Sequence, residues 1–120
     1  MTPLSHSTCE ACGADSKALS AEQCTALLQH LPGWQLSSAD GMAQLSKTYL
    51  FSNFSQALAF SNQVGSISEA QNHHPQLVTE WCKVTVRWWT HTLAGLHKND
   101  FIMAARTDDL AQHAEGLKSS

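Results

Sequence analysis

The sequence predicts an α+β fold: an antiparallel or mixed sheet with helices on one face, in the order α-β-β-α-β-β-α. Three observations carry this. Apolar residues recur at helical spacing in three segments. Strand-like segments fall in pairs between those helices. Caps and turn signals separate the elements.

Residues 1–19 are rich in Ser, Thr and Ala without a sustained period, and read as a flexible leader. Ser20 opens the first helix, with Gln23 at capping-box spacing and Cys24, Leu27, Leu28 and Leu31 as its apolar face. The pair Pro32 and Gly33 stops it. Trp34, Leu36 and then Met42 to Leu50 read as two strands around a hairpin turn at Asp40 and Gly41. Asn53 is a cap for the longest helix, in which Phe54, Ala57, Leu58, Val64 and Ile67 recur out to about Gln71. Pro75 disfavours helical geometry at His74, so that helix ends earlier. Gln76 to Trp81 and Lys83 to His91 follow as strands. In the second, Val84, Val86 and Trp88 share one face, and Lys83, Thr85, Arg87, Trp89 and His91 share the other. The aliphatic face is expected to meet the helices and the other to stay open. Asn99 is the expected cap of a final helix carrying Phe101, Ile102, Ala105 and Leu110. A single domain is thus expected over residues 20–115, with a frayed tail at 116–120.

A chain of 120 residues is one domain's worth and can bury a core without disulfides. Ten acids against seven bases give a net charge of −3, which argues against direct nucleic-acid binding. Charged residues make up 14%, against roughly 25% in an ordinary soluble domain, which leaves room for a subunit interface. No apolar run approaches the ~20 residues of a membrane span. Met1 to Glu10 lack the pattern of a secretory signal, so a cytoplasmic protein with free thiols is expected. Cys9 and Cys12 have the spacing of half a zinc knuckle or a redox pair. A four-ligand site needs two more ligands, and two free thiols in the leader are the favoured reading.

The densest group of reactive side chains is Glu69, His73, His74, His91 and Asp100, all at or near the ends of predicted elements, where function tends to sit. Three readings are open for it. The histidines are plain loop residues; or three histidines and a carboxylate bind a metal; or they do metal-free acid/base work. Adjacent histidines are awkward ligands for one ion, because neighbouring side chains diverge in extended chain. Histidine's ordinary pKa near ~6.5 suits it to donate or accept a proton at neutral pH.

The run Glu69, Ala70, Gln71, Asn72, His73, His74, Pro75, followed by Trp81, His91 and Asp100 at their spacings, resembles the signature of pterin-4a-carbinolamine dehydratases. The similarity extends from about Ser20 to Asp109. It includes Leu31 to Trp34, Phe54 to Phe60 and a bacterial-type stretch from Gly95 to Phe101. The resemblance implies a four-stranded antiparallel sheet with helices on one face, assembled into homodimers or homotetramers. It implies a hydro-lyase that removes water from 4a-hydroxytetrahydropterin to give quinonoid dihydropterin, recycling the cofactor of aromatic amino acid hydroxylases. A phenylalanine hydroxylase is then the metabolic neighbour, and neither metal nor organic cofactor is expected. By the same resemblance His73, His74 and His91 are the acid/base and binding residues. Our assignment makes His74 the general acid and His73 the base or pterin-orienting group, with His91 assisting and Glu69 and Asp100 orienting the rings. Trp34, Pro75 and Trp89 are expected to contact the substrate. Some animal members also serve as dimerisation cofactors of a transcription factor, so a role through protein partners is the competing class.

Overall fold

The computed structural model describes residues 18–39, 42–90 and 95–118. They form α1 (Ala21–Leu28), β1 (Gln35–Ala39), β2 (Met42–Phe51), α2 (Phe54–Gln71), β3 (Gln76–Glu80), β4 (Lys83–Trp88), α3 (Lys98–Gln112) and β5 (Leu117–Lys118). The sheet is antiparallel throughout, in the order β1-β2-β4-β3, with β5 paired to β2. The α+β class and the order of the first seven elements agree with expectation.

Local chemistry accounts for most boundaries. Ser20 accepts from the Gln23 N–H while the Gln23 side chain accepts from the Ser20 N–H, so the expected capping box closes α1. Asn53 caps α2 by accepting from the Gln56 N–H. Gly33 turns the chain at φ 90°, a conformation that favours glycine. Leu31 lies beyond α1 yet is buried in the core.

Three boundaries and the tail differ from expectation. The last helix starts at Lys98 and is capped by His97, two residues before Asn99. The strand expected to reach His91 ends at Trp88, and that expected to reach Trp81 ends at Glu80, leaving Trp81 exposed in the turn. Leu117 and Lys118, expected to fray, pair with Phe51 and Leu50. Gly116 makes that return possible: its φ is 82°, and a Cβ there would collide with the Gln56 side chain. His91, the turn at Asp40 and Gly41, and Cys9 and Cys12 lie outside the described residues.

Register fixes the faces. Trp88, Val86 and Val84 pair with Leu45, Lys47 and Tyr49, and the apolar members of this row are buried under α2 and α3. The alternate row, with Ser46 opposite Arg87 and Thr48 opposite Thr85, lies on the face away from the helices. No helix among the described residues is long and apolar enough to cross a membrane.

On the helix side, Asp108 of α3 ties that helix to β2 and to the turn before β1. It accepts from the Trp34 indole at 3.0 Å, Lys47 Nζ at 2.8 Å and the Tyr49 hydroxyl at 2.5 Å. Burial, and then the adjacent carboxylate, push the Tyr49 phenol far above its ordinary value. Its contribution to stability is therefore complete below the ordinary pKa of about 10 and is lost as pH rises beyond it, because the unfolded chain ionises first. Tyr49 is the chain's one tyrosine. Absorbance at 295 nm should show no phenolate in the native protein at pH 11, and urea unfolding at that pH should release it together with a lower midpoint than at pH 8. Ionisation of the native protein near pH 10 would contradict this.

Candidate active site

The end of α2 sets the site. Asn72 adopts the left-handed conformation, at φ 50° and ψ 43°. The His73 N–H bonds to the Ser68 carbonyl at 3.0 Å and the Asn72 N–H to the Glu69 carbonyl at 3.2 Å, the paired bonds of a Schellman ending. Pro75 then keeps His74 out of helical geometry. Two adjacent imidazoles leave this corner toward different partners.

His73 turns inward. Its Nε2 lies 2.6 Å from Asp100 Oδ1, and its side chain is 11% exposed against 0% for Asp100. Its ring lies parallel to that of Trp88, with 4° between planes and 5.7 Å between centroids. Trp88 is itself fixed from α3: its indole N–H donates to Thr107, which donates to the Met103 carbonyl. The imidazole is thus held in its plane by a carboxylate and on its face by a buried indole. His74 turns outward. Its Nε2 lies 2.6 Å from Glu69 Oε1, and both side chains are well exposed, at 53% and 79%.

Asp100 occupies the third position of α3, where its carboxylate reaches back to the His97 N–H at 2.9 Å, and His97 Nδ1 accepts from the Asn99 N–H. The positive end of the helix favours negative charge there. The Thr90 hydroxyl donates to the same carboxylate at 2.8 Å. Nearby on α1, burial, with Asp100 adding to it, pushes the Cys24 thiol above its ordinary range and so toward the unreactive form.

The arrangement offers two histidine–carboxylate pairs, one sheltered and one solvent-facing, on one helix end. A carboxylate fixing an imidazole at one nitrogen leaves the other nitrogen to exchange protons.

The family model for pterin 4 alpha carbinolamine dehydratase matches residues 17–110. The chain belongs to this family. Among solved structures, a transcriptional coactivator/pterin dehydratase from Brucella melitensis is 28% identical, with a TM-score of 0.71 over 78% of this chain and 98% of that one. A pterin dehydratase-like protein identified as a RuBisCO assembly factor in the alpha-carboxysome is 25% identical, with a TM-score of 0.54 over 65% of this chain and 88% of that one.

Of the expected site residues, Glu69, His73, His74 and Asp100 come together as two pairs, while His91 lies outside the described residues. Pro75 is half-buried beside them. Trp89 packs partly against the core and lines a groove of about 440 Å³ on the open face, with Ser37, Gln44, Ser46, Gln76 and Arg87. Trp34 is not brought to this cluster: it is 4% exposed and bonded to Asp108. Sequence reasoning missed Thr90 and His97 as supports of Asp100, and it read Trp88 as packing without its contact to His73. Asn72, just past the apolar period and three residues before Pro75, was the available signal for the turn that aims both histidines.

Proposed function

We propose that this dehydratase-family chain removes water from 4a-hydroxytetrahydropterin, giving quinonoid dihydropterin, by histidine acid/base catalysis. The observation that carries the reading is the pairing of two adjacent imidazoles with two different carboxylates, each at 2.6 Å. Protonated His74 delivers its proton to the 4a-hydroxyl as the C–O bond breaks, so that water leaves instead of hydroxide. His73, with Nε2 toward Asp100, takes the proton from the adjacent ring nitrogen as the C=N bond forms. One proton is given and one taken, and exchange with solvent restores both rings. His91 assists, and Pro75 and Trp89 contact the pterin.

This reading places the protein in the cytoplasm, where it recycles the cofactor of an aromatic amino acid hydroxylase such as phenylalanine hydroxylase. Purified protein should accelerate loss of the 4a-carbinolamine in the absence of any other protein. The coactivator and assembly-factor relatives support a second reading, action through partner proteins alone. A chain that engages partners but leaves the carbinolamine untouched would decide for it.

The reaction as written needs no metal, since the diverging imidazoles suit two proton transfers better than one coordination sphere. Prolonged chelator treatment should leave the rate unchanged. Loss of activity restored by a single added metal would contradict this.

The chain associates with copies of itself. Phe54 and Leu58, one turn apart on α2, are 45% and 44% exposed, and Val78 on the open face is 37% exposed. Sedimentation at micromolar concentration should show a dimer or tetramer. A fully active 13.1 kDa species would refute association.

A further inference from the structure

A buried carboxylate that orients a catalytic ring must itself be kept from rotating. Asp100 is fully buried, and its two oxygens have divided tasks. Oδ1 addresses His73. Oδ2 accepts from two donors on different segments: the Thr90 hydroxyl at 2.8 Å, two residues past β4, and the His97 N–H at 2.9 Å, at the cap of α3. The His97 bond comes with the helix end and is made by backbone. The Thr90 bond depends on one side chain.

Thr90 is well placed to hold it. It is 4% exposed, and its own backbone is pinned by a bridge to Gly95, with the Thr90 N–H donating to the Gly95 carbonyl at 2.8 Å. Its β-branched side chain is stiff about χ1, so the hydroxyl direction follows from the backbone. A hydroxyl donating to a carboxylate is among the stronger hydrogen bonds available. Thr90 touches neither His73 nor His74 by any hydrogen bond; its hold on the site runs through Asp100.

Building on the dehydratase reading, we propose that Thr90 is a positioning residue: its hydroxyl locks the Asp100 carboxylate in the rotation that aligns His73 for proton transfer. Thr90→Val keeps the shape and removes the donor. It should lower kcat about 10–100-fold, the range for losing a partner of an orienting group, with KM held within about twofold. Thr90→Ser keeps the donor and should restore kcat to near wild type. The imidazole N–H proton of His73, followed by NMR in ¹⁵N-histidine-labelled protein, should shift or broaden in Thr90→Val and keep its position in Thr90→Ser. Thr90→Ala, with the smaller side chain, repeats the test should the valine variant fail to fold. A wild-type kcat together with an unmoved His73 resonance in the donorless variants would overturn the proposal. So would a serine variant as impaired as the valine one, because the methyl group would then be the important part. If the wild-type protein turns over no pterin, the functional reading fails, while the resonance comparison still decides whether Thr90 positions His73.

Discussion

Replacing His74 with Ala should slow dehydration about 10²–10⁴-fold, the range for loss of a general acid. His74 stands at the exposed side of the corner, paired with Glu69 on α2, so its removal costs little packing. The loss should therefore appear in kcat, with the melting temperature nearly unchanged. His113 is the control. It ends α3, where Nδ1 contacts the Asp109 carbonyl, and His113→Ala should leave the rate within about twofold. Steady-state kinetics on the two variants, side by side, makes the check. Equal effects at both positions would mean that the site has been assigned to the wrong histidine.

Asp100→Ala should damage both the fold and the reaction. The carboxylate is fully buried and receives the Thr90 hydroxyl and the His97 N–H besides facing His73. Removing it strands those groups where water cannot easily replace it. Leaving buried donors unpaired in this way costs about 1–3 kcal/mol apiece. The start of α3 loses half of its capping box at the same time. Turnover by the remaining folded protein should fall by at least ~10²-fold, because His73 loses the group that fixes its plane. Urea unfolding reads the first effect, and rates corrected for the folded fraction read the second. A variant as stable and as fast as wild type would remove Asp100 from the account altogether.

The set Glu69, His73, His74 and Asp100 could be read from residue types and spacing, whereas its pairing could not. Which ring meets which carboxylate depends on the left-handed turn at Asn72, and on how α3 is seated against the end of β4. Periodicity placed α2 from Asn53 to about Gln71, as found, because Asn53 caps its start and Pro75 bars its continuation. It missed the start of α3 because asparagine is a common cap and histidine an uncommon one. With the cap at His97, Asp100 falls on the third helical position, where its side chain can reach the His97 N–H. β5 is two residues long, too short to carry a pattern, and its pairing depends on the turn at Gly116. The Asp108 cluster left no local trace, since Trp34, Lys47 and Tyr49 lie far from Asp108 in sequence and meet it only once β2 and α3 pack.

The most direct test of histidine acid/base catalysis is single-turnover dehydration by the wild-type protein and by the double variant His73→Ala, His74→Ala. Stopped-flow absorbance would follow the 4a-carbinolamine, generated in the same solution, against its uncatalysed loss. Circular dichroism would first establish that both proteins are folded. The wild-type protein should accelerate loss well above the uncatalysed rate, and the double variant should return it to that rate. A folded wild-type protein with no acceleration, or a double variant as fast as wild type, would contradict that mechanism.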